Sequence, residues 1–178
     1  MKPSRRKFLT GAIGSVAGAG LWTARADDSK PDAPAAGDPA LSFKLIPIGT
    51  VEKPGKLVRI RIFEPFADGL LGLDGWSHVN VFYWFDQNDV AAKRRILRVH
   101  PRGNPDNPLT GVFACRAPFR PNLIALSVAK ILSVAGNLVT LDTLDALEGS
   151  PILDLKPFIP PDAPTQDVVI PAWAKGKP

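Results

Sequence analysis

From about residue 41 onward, short apolar runs alternate with Pro and Gly breaks, and no long stretch repeats apolar residues every 3.6 positions. A chain patterned in this way builds strands rather than helices. The runs fall at 43–51, 57–63, 78–85, 96–99, 111–114, 124–134, 138–144 and 151–155. Within 57–63, Leu-Val-Arg-Ile-Arg-Ile-Phe alternates at its centre, so one face is buried and the other wet. Val79, Val81, Tyr83 and Phe85 alternate with Asn80, Phe82 and Trp84, which predicts a strand covered on both sides. Residues 127–134 suit helix or strand, and their β-branched content favours strand. Residues 67–73 read as a short helical turn or loop. From Phe158 onward, Pro at 160, 161, 164, 171 and 178 predicts irregular chain wrapping the domain. The fold class implied is all-β, a compact barrel in one domain.

The first 26 residues read as an address rather than as part of that fold. Lys2, Arg5, Arg6 and Lys7 precede an uncharged run of apolar and small residues at 8–21, and Ala24-Arg25-Ala26 supplies a small-residue cleavage site. The run is too short for a membrane span, which takes about 20 residues. Ser4-Arg5-Arg6-Lys7-Phe8-Leu9 resembles the twin-arginine signal, which implies the twin-arginine export machinery as a partner and a periplasmic or otherwise exported location. Residues 27–40, rich in Pro, Ala and Asp, read as a disordered linker. The barrel domain is then 41–162, with a Pro-rich tail at 163–178.

The address also explains the charge. Five of the 22 basic residues and none of the 17 acids lie in 1–26, which leaves 17 of each in 27–178 and a formal net charge of zero. The basic surplus that draws proteins to nucleic acid is therefore absent from the exported part. Lys93, Arg94, Arg95, Arg98 and Arg102 form a local basic group that reads as a solvated face. A single Cys excludes an internal disulfide framework and a zinc site of several cysteines, and two His exclude a multi-histidine metal centre. There is no P-loop and no dinucleotide-binding glycine fingerprint.

Two segments concentrate groups with chemistry to offer. In 111–127, Arg116 and Arg120 lie four residues apart beside Pro118 and Pro121, with Asn122 next. The prolines stiffen the loop, and fixed arginines suit a carboxylate or phosphate ligand. The same arginines equally suit structural pairs with Asp142, Asp145 or Asp154. In 142–160, Asp145, Glu148, Asp154 and Lys156 surround a Gly149-Ser150-Pro151 turn, which reads as a hydroxyl or metal site, or as a solvated turn beside a buried Asp154–Lys156 neighbourhood. His78 reads as a core hydrogen-bonding residue and Cys115 as a structural thiol. Asp86-Gln87-Asn88-Asp89 closes an aromatic strand as a turn or a ligand rim.

Three stretches carry a resemblance: 70–85 (LLGLDGWSHVNVFYWF), 111–127 (GVFACRAPFRPNLIALS) and 144–160 (LDALEGSPILDLKPFIP). In order and spacing they resemble the TsaA-like or TrmO family, over roughly 46–162. That family's best-known members are S-adenosylmethionine-dependent methyltransferases acting on threonylcarbamoyladenosine in tRNA. The resemblance implies an antiparallel β-barrel, S-adenosylmethionine as methyl donor, and a homodimer. It places donor contacts on Asp86, Gln87, Arg116, Leu126 and the turn of Ala146, Leu147, Glu148 and Gly149. Its Arg-Pro-Asn triplet falls on Arg120, Pro121 and Asn122, weaker candidates for substrate contact.

The chain departs from the family where Thr-Arg-Ser becomes Cys115-Arg116-Ala117, where Asn-Pro-Ile-Gly becomes Asn122-Leu123-Ile124-Ala125, and where His gives way to Asp86. A Cβ at Ala125 would crowd a close backbone approach. A chain without net charge also lacks the cationic surplus on which tRNA binding leans. The function implied is a methyltransferase-like protein of unread acceptor, and the alternative is an exported ligand-binding or scaffold protein on the same barrel.

Overall fold

The computed structural model describes residues 43–53, 55, 57–160 and 168–175. The signal at 1–26 and the linker at 27–40 lie outside the described residues, as does part of the tail. Six strands close an antiparallel barrel: β1 (Gly49–Glu52), β2 (Val58–Ile62), β3 (His78–Trp84), β6 (Ile124–Ala135), β7 (Leu138–Leu141) and β8 (Pro151–Pro157). Their order around the barrel is β1-β2-β7-β6-β3-β8. Two short strands, β4 (Arg98–Val99) and β5 (Thr110–Gly111), pair with each other outside it.

The barrel interior follows from alternation. Along β2, Val58, Ile60 and Ile62 point inward, while Arg59 and Arg61 are half-exposed. Arg61 reaches Glu52 on β1 through a bond of 2.5 Å. β3 buries Val79, Val81 and Tyr83, and β7 buries Val139 and Leu141. The long strand β6 supplies small residues where β3 supplies large ones: Ala125 stands opposite Tyr83, and Ala129 opposite Val79. A six-stranded barrel leaves no room for large residues on both strands, so this exchange fills the taper. Each fully buried Ile or Leu contributes roughly 1.5–3 kcal/mol through apolar area removed from water. At Gly49 the β1 and β2 backbones approach so closely that a Cβ would lie 2.3 Å from the Arg61 carbonyl oxygen.

Every expected strand run contains a strand, but the bounds differ. The first begins only at Gly49, and Phe43, Leu45 and Ile46 stay exposed with no strand beside them. The run at 111–114 pairs only as far as Gly111, after which Val112–Ala114 tightens into a 3₁₀ turn. Glu64–Leu70 and Leu73–Gly75 are also 3₁₀ turns, in the region read as helical turn or loop. The outer residues of β3, namely Asn80, Phe82 and Trp84, are half-buried rather than covered. A one-turn helix, α1 (Ala91–Arg94), had no signal in the periodicity.

The excursion between β3 and β6 has a small core of its own. Val99, Val112, Ala117 and Phe119 are buried there, with Ile96 and Cys115 packed against them. A backbone bond from the Phe85 N–H to the Leu123 carbonyl closes its base, and side chains fasten it further. Asp89 accepts from Arg94 Nε at 2.8 Å and from Trp84 Nε1 at 3.0 Å. Arg94 also donates to the Pro121 carbonyl at 3.1 Å and lies over the Trp84 ring. These two hydrogen bonds hold the Asp89 carboxyl below its ordinary value, the Arg94 bond being the larger cause.

Candidate functional site

The strand ends that enter and leave β3 and β8 create the site. Asp86 lies just beyond β3, and the 146–149 turn lies just before β8. One buried hydroxyl joins them: Ser150 Oγ accepts from the Leu147 N–H at 3.2 Å and donates to Asp86 Oδ1 at 3.3 Å. Gly149 holds φ at +78°, a left-handed backbone that glycine adopts without strain. Its N–H donates to the Val51 carbonyl, which pins the turn to β1. Glu148 accepts from the Lys53 backbone N–H, and Lys53 Nζ donates to the Leu144 carbonyl at 3.2 Å.

Tyr83 is the second junction. Its hydroxyl donates to the Asp145 carbonyl at 2.9 Å, immediately before the turn. Burial pushes its phenol above the ordinary value; the Ser127 hydroxyl pulls it back, the Asp145 carboxylate raises it, and the Arg116 charge lowers it. The Arg116 charge is the smallest of these influences, and Arg116 itself is exposed on the stiff loop. That loop is shaped as the prolines require, with Ala117, Pro118 and Phe119 buried beneath it. Neither Tyr83 nor Ser150 stands out in the sequence as a site residue, because their partners are 62 and 64 positions away.

The remaining candidates take separate places. Arg120 donates to the Val112 carbonyl at 3.2 Å and closes its own loop. Asn122 is exposed, and its carbonyl accepts from the Ile124 N–H at 2.7 Å. The Gln87 carbonyl accepts from Lys93 Nζ. Leu126 lies on the outer face of β6, opposite Phe82 of β3, and is 40% exposed. Ala125 is 4% exposed and its methyl belongs to the barrel core, so that Cβ fills space rather than crowding a ligand. Asp154 pairs with Lys156 at 3.0 Å; Lys156 is exposed and Asp154 half-buried, so the pair is not buried. His78 is half-buried and bonds Ser77 Oγ, with its ring edge-on to Phe158. Cys115 is half-buried, and its thiol points toward the Gly111 and Val112 carbonyls.

A separate apolar cavity of about 560 Å³ lies at another part of the barrel, among Ile62, Phe66, Leu70, Leu73, Trp76 and Leu155. Asp154 lines it, but none of the residues proposed to contact the donor does. Among the described residues, no group of three His, Cys, Asp or Glu side chains is arranged for a metal ion. Among them, too, no helix is long and apolar enough to cross a membrane. The candidate site itself combines an exposed guanidinium, a carboxylate, turn amides and carbonyls, and the exposed Leu147 side chain. An exposed guanidinium of this kind can hold a carboxylate or a phosphate.

The chain is similar to several known proteins. Residues 42–162 match the model of the tRNA-methyltransferase O N-terminal domain. The chain is 45% identical over 117 residues to a probable S-adenosyl-L-methionine-binding protein of Pyrococcus horikoshii, across 66% of this chain and 83% of that relative. It is 37% identical over 115 residues to a human tRNA (adenine(37)-N6)-methyltransferase, across 64% of this chain but 25% of the human protein. The crystal structure of TrmO from Pseudomonas aeruginosa superposes with a TM-score of 0.59 at 26% identity. That superposition covers 78% of this chain and 66% of the solved one, so the chain spans less than two thirds of that structure.

Proposed function

The chain belongs to the tRNA-methyltransferase O family, and on that footing we propose that it is an S-adenosylmethionine-dependent methyltransferase whose donor site lies between Arg116, Asp86 and the 146–149 turn. The observation that supports this reading is the joining of Asp86 to the 146–149 turn through Ser150, with Tyr83 bonded to the residue just before that turn; Arg116 is added from the family resemblance. Arg116 holds the donor's carboxylate, and Asp86 with Gln87 faces its cationic part. The exposed edge of the turn, with the Leu147 side chain, holds the adenine.

When bound, the donor supplies a methyl group on a sulfonium, and transfer breaks that S–C bond while forming a bond to an acceptor nitrogen that releases a proton. The chain's own contribution is alignment of donor and acceptor, which alone lowers a barrier substantially. The zero net charge of 27–178 favours a nucleoside-like or other small acceptor over whole tRNA. Arg120 and Asn122, beside Arg116 on the same loop, are the residues nearest in sequence for that acceptor.

Two further parts of the proposal concern partners. The outer face of β6 exposes Ile124, Leu126 and Val128 as an apolar stripe, followed by Lys130 and then the exposed Leu132. We assign that stripe to a second copy of the chain, which would cover Leu126 and bring it to the donor. Sedimentation of Val128→Lys as a monomer beside a dimeric parent supports the assignment, and a monomeric parent sinks it. Residues 1–26 send the folded chain through the twin-arginine route. Retention in the cytoplasm of an Arg5→Lys, Arg6→Lys variant is the expected outcome, and unchanged export would contradict it.

Calorimetric titration of 27–178 with S-adenosylmethionine tests the central reading. Micromolar affinity in the parent, lost by at least about tenfold in Arg116→Ala, is expected from removing a charge-assisted bond. No heat at millimolar donor would overturn it.

A further inference from the structure

We infer that Ser150 is a positioning residue of the donor site: its buried hydroxyl locks Asp86 to the 146–149 turn. The inference rests on the donor-site reading above and names the group that holds the two halves of that site together.

The strand ladder cannot do this. β3 and β8 pair as far as Tyr83 with Ile152, and their register already shifts between Phe82 and Tyr83. Asp86 lies three residues beyond the last pair, and its side chain is exposed. Leu147, Glu148 and Gly149 are exposed as well. Ser150, between them, is 2% exposed. A buried polar side chain is tolerated only where its hydrogen bonds are made. Here the single hydroxyl proton goes to Asp86 Oδ1, and a lone pair accepts the Leu147 N–H. With both roles assigned, the hydroxyl has one direction rather than three.

The Ser150 backbone keeps that hydroxyl in place. Its N–H donates to the Leu147 carbonyl at 3.2 Å, and its carbonyl accepts from the Val51 N–H at 3.1 Å. Asp86 is thereby referenced to β1 of the closed barrel. Without the hydroxyl, the exposed Asp86 carboxylate would be satisfied by water. The cost would fall on ligand affinity more than on folding.

The test compares two substitutions of the same shape. Ser150→Thr keeps the hydroxyl, and Ser150→Val replaces it with a methyl group, so any crowding from the added branch is common to both. Calorimetry with S-adenosylmethionine on 27–178 is expected to give a Kd within about twofold of the parent for Thr and about tenfold weaker for Val. Thermal melts of the two variants should coincide within a few degrees. A cycle with Asp86→Ala should be non-additive, Ser150→Val adding at most about twofold once Asp86 is gone. Equal losses in Thr and Val, or fully additive losses with Asp86→Ala, overturn this inference while leaving the donor reading intact. Absence of binding by the parent chain overturns the donor reading itself, and this inference with it.

Discussion

The barrel and the excursion at 85–123 are held by different forces. The barrel is a closed ladder of backbone bonds around Ile60, Val79, Val81, Val139, Leu141 and Ile152, each at or near zero exposure. The excursion has a two-residue strand pair, a one-turn helix, short 3₁₀ turns and a four-residue core, and Arg94, Lys93, Asp89 and Trp84 help to join its pieces. Arg116 sits on the second kind of structure, while the 146–149 turn is pinned to the first. The proposed donor site therefore joins a rigid half to a half whose position rests partly on a few side chains. This division suits a protein that must fix a donor and still admit an acceptor.

The comparison can be broken most severely from the barrel side. Ile60→Ala should lower unfolding free energy by about 2–5 kcal/mol, because a fully buried branched side chain leaves a cavity that a closed ladder cannot collapse around. Urea denaturation followed by circular dichroism measures this. Gly49→Ala should cost about 1–3 kcal/mol by forcing β1 away from the Arg61 carbonyl. A melt within a degree of the parent would show that β1 has slack that the structure denies.

From the excursion side, Arg94→Ala removes the bonds to Asp89 and Pro121. It should cost only about 1 kcal/mol globally. Amide exchange should nevertheless quicken at 111–123 while that of β2 and β7 is unchanged. Equal quickening in both regions would mean that the two halves unfold as one.

The smallest effects are in pH. The Tyr83 phenol titrates higher folded than unfolded. Its stabilisation is intact below about pH 10 and falls away as pH rises through the folded value. Tyr83→Phe should flatten that alkaline limb. Asp89 behaves in the opposite sense. Its depressed carboxyl adds stability above the ordinary carboxylate pKa, lost as pH falls through the folded value. Being largely exposed, it should produce only a slight acid shift of the melt.

Legibility in the sequence followed the same division. The alternation at 57–63 became β2 with its faces as expected, and 124–134 became β6. Period-2 patterns record a buried face, which the barrel supplies along its whole length. The run at 43–51 overreached because Phe43, Leu45 and Ile46 are apolar without a strand beside them. Strand pairs as short as Arg98–Val99 with Thr110–Gly111 depend on a partner that local pattern does not reveal. Arg116 and the turn came from family resemblance, while spacing alone left Arg116 open to a structural pair. Tyr83 and Ser150 were illegible as site residues for a simpler reason. Their roles lie in contacts to Asp145 and Asp86 across more than 60 residues, and a Ser after Gly reads locally as a turn.

The most direct measurement is a crystal structure of 27–178 with S-adenosylhomocysteine, the demethylated donor. The account predicts the ligand between Arg116, Asp86 and the 146–149 turn, with its carboxylate on Arg116 and Ser150 still bonded to Asp86. Ligand found instead in the apolar cavity beside Phe66 and Trp76, with Arg116 uninvolved, would contradict it.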